Sequence, residues 1–267
     1  MATFHVHIGL PKTGSTTFQK ALELNHSRLS PHVRVINRMS FGPQRKGLMR
    51  AHGYIRQNYL TGIDLAVLGQ HLETALEEPL ATLSSDTPVL ITDEGLSGPH
   101  PGQFAAHAGM FPALPHALDA LAQVLAPHRC VFHIVVRDTS KWVKSLYNQA
   151  VKQTRYTDTL QIFTDALPAN FDIAAHMAGL QSAHPDKDIR IHSMESAPLF
   201  PAQQIVQDCG IDPDALAQFT IPQSVNKSWS SGMVRAMRVI NGADIDDKTR
   251  NLLRKEIADN RHVFSER

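Results

Sequence analysis

The chain has 267 residues, of which 42% are hydrophobic and 19% charged, with a mean hydropathy of −0.20. That is the size of one large α/β domain and the composition of an ordinary globular protein, which excludes disorder, collagen and coiled coil as the main architecture. Lys and Arg number 26 against 25 Asp and Glu, a net charge of +1 that argues against nucleic acid as a partner, and no hydrophobic run reaches the 18 or so residues of a membrane span.

In chain order, Thr3 to Ile8 is a short β-prone run. The segment before and within it lacks the basic and long apolar stretches of a secretory signal, so a cytoplasmic protein is expected. A turn containing Pro11 and Gly14 follows, then a helix-compatible stretch from Ser15 to Leu22. His5 and His7, two apart on a strand, face one side and make a possible metal pair for which the sequence offers no evident third ligand.

Between Leu24 and Ile63 there is no Asp or Glu, while Arg28, Arg34, Arg38, Arg45, Lys46, Arg50 and Arg56 contribute +7, which leaves −6 elsewhere against the +1 of the whole. A local basic lobe on a neutral protein fits a small anionic ligand or acidic acceptor, or else a solvated surface. With Tyr54 and Tyr59 it suggests an anionic or carbohydrate-like acceptor. Val33 to Ile36 reads as a second strand. Asp64 to Glu77 reads as an amphipathic helix with Asp64 as its cap.

Pro88 to Thr92 is an apolar run ending at Asp93-Glu94, as expected of a strand covered on both faces. Ser97 to Pro115 is rich in Gly, Pro and His, and a long irregular segment after a strand end reads as part of an acceptor pocket. Cys130 to Val136 is a further strand, and Thr139 to Lys152 a helix. Cys130 and Cys209, far apart in apolar settings, supply neither a disulfide framework nor a cysteine zinc site. Ile189 to His192 reads as the last strand; beyond Pro201 the chain looks helical, with turns at Gly210, Pro222 and Gly242. Strands alternating with helices predict an α/β domain over residues 1–267: a doubly wound, mainly parallel sheet in three layers with a helical C-terminal part, binding its ligand at the carboxyl ends of the strands.

Two segments carry chemistry. Gly9-Leu10-Pro11-Lys12-Thr13-Gly14-Ser15-Thr16-Thr17 joins the first strand to the first helix. Its amide N–H groups and helix start can surround an anion, with Lys12 adding charge and Ser15, Thr16 and Thr17 adding hydroxyls. It is not a Walker A sequence, because Lys12 precedes Gly14 instead of following it. The string resembles the 5′-phosphosulfate loop of sulfotransferases that use 3′-phosphoadenosine 5′-phosphosulfate (PAPS). The resemblance extends to Arg137 at the end of the Cys130–Val136 strand and Ser145 eight residues on, which are similar to the Arg and Ser that hold the donor's 3′-phosphate in that family. Taken singly, Arg137 could pair with an acid and Ser145 could be a helix-surface residue.

What the resemblance implies is a P-loop-like sulfotransferase fold of the carbohydrate or bacterial type. It also implies metal-independent, in-line transfer of a sulfuryl group from PAPS to a hydroxyl or amine, leaving adenosine 3′,5′-bisphosphate (PAP). Lys12, Thr13, Gly14, Ser15, Thr16, Thr17, Arg137, Ser145 and Lys227 would hold the donor. Thr17 stands where many cytosolic members carry an aromatic that stacks on adenine. Lys12 would stabilise the leaving oxygen, with Ser145 steering it, and Glu94 at the end of the neighbouring strand would be the base, His100 and His107 being alternates. Glu94 could instead cap the turn that follows. Two other readings stand beside this one: an ATP-dependent P-loop kinase with a displaced lysine and Asp93 near magnesium, and a non-catalytic nucleotide-binding module.

Overall fold

The structure, a computed structural model, describes residues 1–83, 87–98, 110–222 and 228–264. In chain order the elements are β1 (Thr3–Ile8), α1 (Ser15–Leu24), α2 (His26–Leu29), β2 (Arg34–Asn37), α3 (Gly42–Asn58), α4 (Leu65–Leu76), β3 (Val89–Asp93), α5 (Leu114–Val124), β4 (Arg129–Val136), α6 (Thr139–Gln153), α7 (Leu160–Asp165), α8 (Ile173–Ala183), β5 (Asp188–Ser193), α9 (Gln203–Asp208), α10 (Pro213–Ala217), α11 (Ser231–Gly242) and α12 (Asp247–Asp259). The chain divides into two compact units, one of residues 1–138 and 173–225, the other of residues 139–172 and 226–267. Among the described residues no helix is long and apolar enough to cross a membrane.

The first unit is built on a five-stranded sheet in the order β2-β3-β1-β4-β5, with every pairing parallel. Parallel neighbours need crossovers, and helices supply them, which gives an α/β architecture with helices flanking the sheet. From β1 the chain passes over β3 to the β2 edge, and from β4 it passes outward to β5. The connections therefore leave these two neighbours in opposite directions, and such a switch point opens a crevice at the carboxyl ends of the strands. Lys12 and Arg137 follow the carboxyl ends of β1 and β4.

Residues 4, 6 and 8 of β1 lie on the face opposite residues 5 and 7, as the period-2 pleat requires. Phe4, Val6 and Ile8 are fully buried, as are Phe132 and Ile134 of β4. The other face packs Leu90 and Val135 against Phe18 and Leu22 of α1 and Ile205 and Val206 of α9, with Phe200 in the same cluster and its ring stacked on Phe18 at 6.3 Å. Asp64 caps α4 as its side chain foretells, accepting from the amides of Ala66 and Val67 at 2.8 and 3.4 Å. Helix α3 crosses α4 at Gly47, where a Cβ would lie 2.3 Å from the Ala75 amide nitrogen, so the two backbones approach as only glycine permits.

Buried on the α1 side of the sheet is a row of histidines that the sequence shows only as scattered letters. His5 Nδ1 lies 2.9 Å from His133 Nε2, and His133 Nδ1 lies 2.9 Å from His192 Nε2, with each pair of rings stacked at 5.2 Å. His7 shares the face but turns to Thr92 Oγ1, 2.8 Å away, and sets its ring edge-on to Phe18. Burial holds all four below the ordinary imidazole range: His5 at about 4, His7 at about 3, His133 at about 2, and His192 lowered as well.

The second unit gathers α6, α7, α11 and α12. Tyr147, Tyr156 and Phe163 set their rings edge to face at 5.5 to 6.1 Å. Asn241 of α11 donates to the carbonyls of Val151 and Tyr156 at 2.9 and 3.0 Å, satisfying two carbonyls near the end of α6. The sequence leaves α3, α5 and α8 unread. In α3 the apolar residues are sparse among Arg and Gly, and α5 begins inside the stretch read as irregular, with Pro115 at its first turn, where proline is tolerated.

Candidate functional site

The loop after β1 holds Lys12 at φ 66° and Gly14 at φ 88°, on either side of Thr13. Left-handed residues alternating with an ordinary one turn successive N–H groups toward one side, the arrangement of an anion-binding nest. Gly14 is fixed twice over: its φ favours glycine, and a Cβ there would fall 2.5 Å from Pro201 Cβ. Thr13 Oγ1 donates to the Leu10 carbonyl at 2.8 Å and closes the turn. The loop then delivers Ser15 to the first position of α1. Ser15 Oγ is buried with no hydrogen-bond partner, a costly condition that a ligand would relieve. Thr16 and Thr17 follow on α1, both half-buried.

Arg137 reaches this loop directly, donating from Nη1 to the Lys12 carbonyl at 3.3 Å. The two segments singled out in the sequence, 125 residues apart, therefore meet at one place. The Arg137 Nε is buried without a hydrogen-bond partner, a second donor at the same locus.

Glu94 directly follows the neighbouring strand, β3. A Cβ on Gly9 would sit 3.0 Å from Glu94 Cα, so glycine at the start of the loop lets the two backbones touch. Capping falls to Asp93, whose Oδ1 accepts from the Gly95 amide at 2.7 Å at the head of a short 3-10 turn, Glu94–Ser97. That leaves the Glu94 carboxylate without a capping task. Its proton affinity is raised by burial, against the opposing pull of Arg38 and Lys12. Lys12 is lowered by burial, Glu94 working against the shift and Arg137 with it. A carboxylate pushed up and an ammonium pushed down within one field of charge is how sites prepare groups for proton transfer.

His52, not singled out in the sequence, and Arg38, read there only as part of the basic lobe, complete the surroundings by way of Asp93. Asp93 is fully buried; its Oδ2 lies 3.1 Å from His52 Nδ1 on α3, and its Oδ1 lies 3.8 Å from Arg38 Nη1. A Cβ on Gly95 would strike the His52 ring at 2.5 Å, so that glycine admits the histidine. The signal for His52 was present: Leu48, Ala51 and Ile55 at helical spacing place it near the buried side of α3. The basic lobe is partly used in holding the fold. Arg34 pairs with Glu78 and the Leu76 carbonyl, and Arg28 donates to the Gln218 carbonyl, while Arg45, Lys46, Arg50 and Arg56 are exposed. Tyr54 joins α3 to α4, its hydroxyl accepting from the Asp64 amide at 3.1 Å, and the Tyr59 ring lies 6.2 Å from that of His116.

Lys12, Thr13, Gly14, Ser15, Glu94 and Arg137 thus come together in the first unit. Ser145 lies half-buried on α6 in the second. Lys227, His100, His107 and most of the segment read as an acceptor pocket lie outside the described residues.

No family model matches the chain, and no curated protein matches it. Among solved structures it is similar, at 12% identity and a TM-score of 0.33, to a chain from the PezAT chromosomal toxin-antitoxin system of Streptococcus pneumoniae, over 96% of this chain and 88% of that one. A likeness so distant assigns neither fold family nor function.

Proposed function

We propose that the protein is a sulfotransferase of the P-loop-like fold, moving a sulfuryl group from PAPS to a hydroxyl without a metal. The observation that carries this reading is the meeting of Lys12, Arg137 and Glu94 at the carboxyl end of the sheet, with Arg137 hydrogen-bonded to the backbone of the Lys12 loop. Two cationic groups and an anion nest suit a bis-anionic nucleotide, and a half-buried carboxylate beside them suits a base.

In this reading the loop amides, Thr13, Ser15, Thr16 and Thr17 hold the 5′-phosphosulfate, and Arg137 holds the nucleotide's other charged end. As the acceptor oxygen bonds to sulfur, its proton passes to Glu94. The bond from sulfur to the 5′-phosphate oxygen breaks, and Lys12 neutralises charge growing on that oxygen as PAP departs. The parts of Ser145 and Lys227 in holding the 3′-phosphate are implied by the family resemblance alone. An ATP-dependent kinase would need Asp93 free for magnesium. Its engagement by Gly95, His52 and Arg38 favours sulfuryl transfer instead. The acceptor fits a small or carbohydrate-like molecule carrying negative charge, given the exposed cations of α3.

The test is turnover of labelled PAPS against a panel of sugar, phenol and amine acceptors in the presence of chelator. Transfer that persists with chelator and is lost in Glu94→Gln is the expected result. Strict dependence on magnesium and ATP would overturn the reading.

A further inference from the structure

The histidine row ends at an acid. Asp208, the last residue of α9, turns its Oδ2 toward the sheet, 3.6 Å from His133 Nδ1 and 3.7 Å from His192 Nε2, and those two nitrogens are 2.9 Å apart. The same oxygen is buried and has no hydrogen-bond partner, which is costly for a carboxylate unless another group satisfies it. We propose that His133, His192 and Asp208 form a binding site for one divalent transition metal of the zinc type, which fastens α9 to β4 and β5.

Three arguments support it. Ligand atoms at about 2.0 to 2.1 Å from a tetrahedral zinc lie roughly 3.3 Å from one another, and the three separations here bracket that value, so a shift of a few tenths of an ångström completes the triangle. Two imidazoles and a carboxylate suit a borderline divalent ion better than a hard one. The surroundings are those of supported ligands. His133 can donate its Nε2 hydrogen to His5 Nδ1 at 2.9 Å, leaving the Nδ1 lone pair free for the ion, and Arg190 Nη1 holds the other oxygen of Asp208 at 3.0 Å. Exposure rises from 0% at His133 through 12% at His192 to 28% at Asp208, so the ion would enter beside α9 and keep its fourth position for water. Without metal, His192 donates to His133 and the Asp208 oxygen stays unpaired.

The inference does not depend on the nucleotide site. Chelator-treated protein is titrated calorimetrically with zinc chloride, and with cobalt(II) chloride followed in the visible region. One zinc per chain, a raised melting temperature and the absorption of a four-coordinate cobalt ion are expected. Asp208→Asn, which retains an oxygen for Arg190, and His192→Gln should each weaken zinc at least about tenfold. Cys209→Ser should leave it unchanged. Failure of the parent to bind one zinc overturns the proposal, as does parental affinity in both folded ligand variants or its loss in Cys209→Ser.

Discussion

At the scale of the residue, the site is two opposed shifts. In the proposed reaction the base must be ionised to accept a proton, so activity should rise with pH through the Glu94 value, which burial holds above the ordinary carboxylate range. It should fall again where Lys12, held below the ordinary lysine range, loses its charge. The pH dependence of kcat/KM should be a bell narrower than the free side chains would give, and Glu94→Gln should abolish its acid limb along with most of the activity. A Glu94→Gln variant with an unchanged profile would remove Glu94 from the mechanism. Lys12→Ala should lower kcat roughly a hundred- to a thousandfold while the folded state persists, because it deletes a charge that acts most strongly on the leaving oxygen. Arg137→Ala should weaken PAP binding by about 2 kcal/mol or more, roughly thirtyfold; near-parental binding would detach β4 from the site. Lys12 and Arg137 were legible as candidates through the resemblance of their segments to the sulfotransferase donor motifs, and Glu94 through its place after an apolar strand. The spacing of Leu48, Ala51 and Ile55 marks His52 only as near a buried face, and nothing along the chain says that α3, or Arg38 in the turn before it, comes back to the end of β3.

At the scale of the element, the loop between β1 and α1 depends on glycine. Gly14→Ala places a Cβ at φ 88° and 2.5 Å from Pro201, so it should lower stability by about 2 to 4 kcal/mol in urea unfolding and weaken anion binding as well. A change below about 0.5 kcal/mol would mean that the loop relaxes freely. The strands and α1, α4 and α6 were readable because apolar runs and caps mark them locally: β1 spans the residues its pattern indicates, and Asp64 caps α4. By contrast α3, α5 and α8 were hidden. Their burial is set by neighbours: Gly47 looks like a helix breaker until α4 is seen packed against it.

At the scale of the whole molecule, the alternation of strand and helix gave the α/β class, whereas the strand order and the division into two units depend on long-range pairing that no local pattern encodes. The histidine row shows the same limit, since its members come from three strands and only meet in the folded sheet. It also sets the response to acid. His5, His7, His133 and His192 stay neutral in the folded state, yet each takes up a proton in the unfolded chain near pH 6.5. The unfolded state therefore binds more protons as pH falls, and stability present above pH 6.5 is lost toward the folded values, by about 1.4 kcal/mol per pH unit for each histidine involved. Urea unfolding between pH 7 and 5, with chelator present, should show that slope, flattened in His5→Gln; a stability independent of pH over this range would contradict the neutral row.

The central claim is that the Lys12 loop and Arg137 hold one bis-anionic nucleotide. Calorimetric titration of PAP with chelator present, beside ATP with magnesium, tests it most directly. One PAP per chain, bound more tightly than ATP and weakened in both Lys12→Ala and Arg137→Ala, is the expected result. No PAP binding, or tighter binding of magnesium ATP, would contradict it.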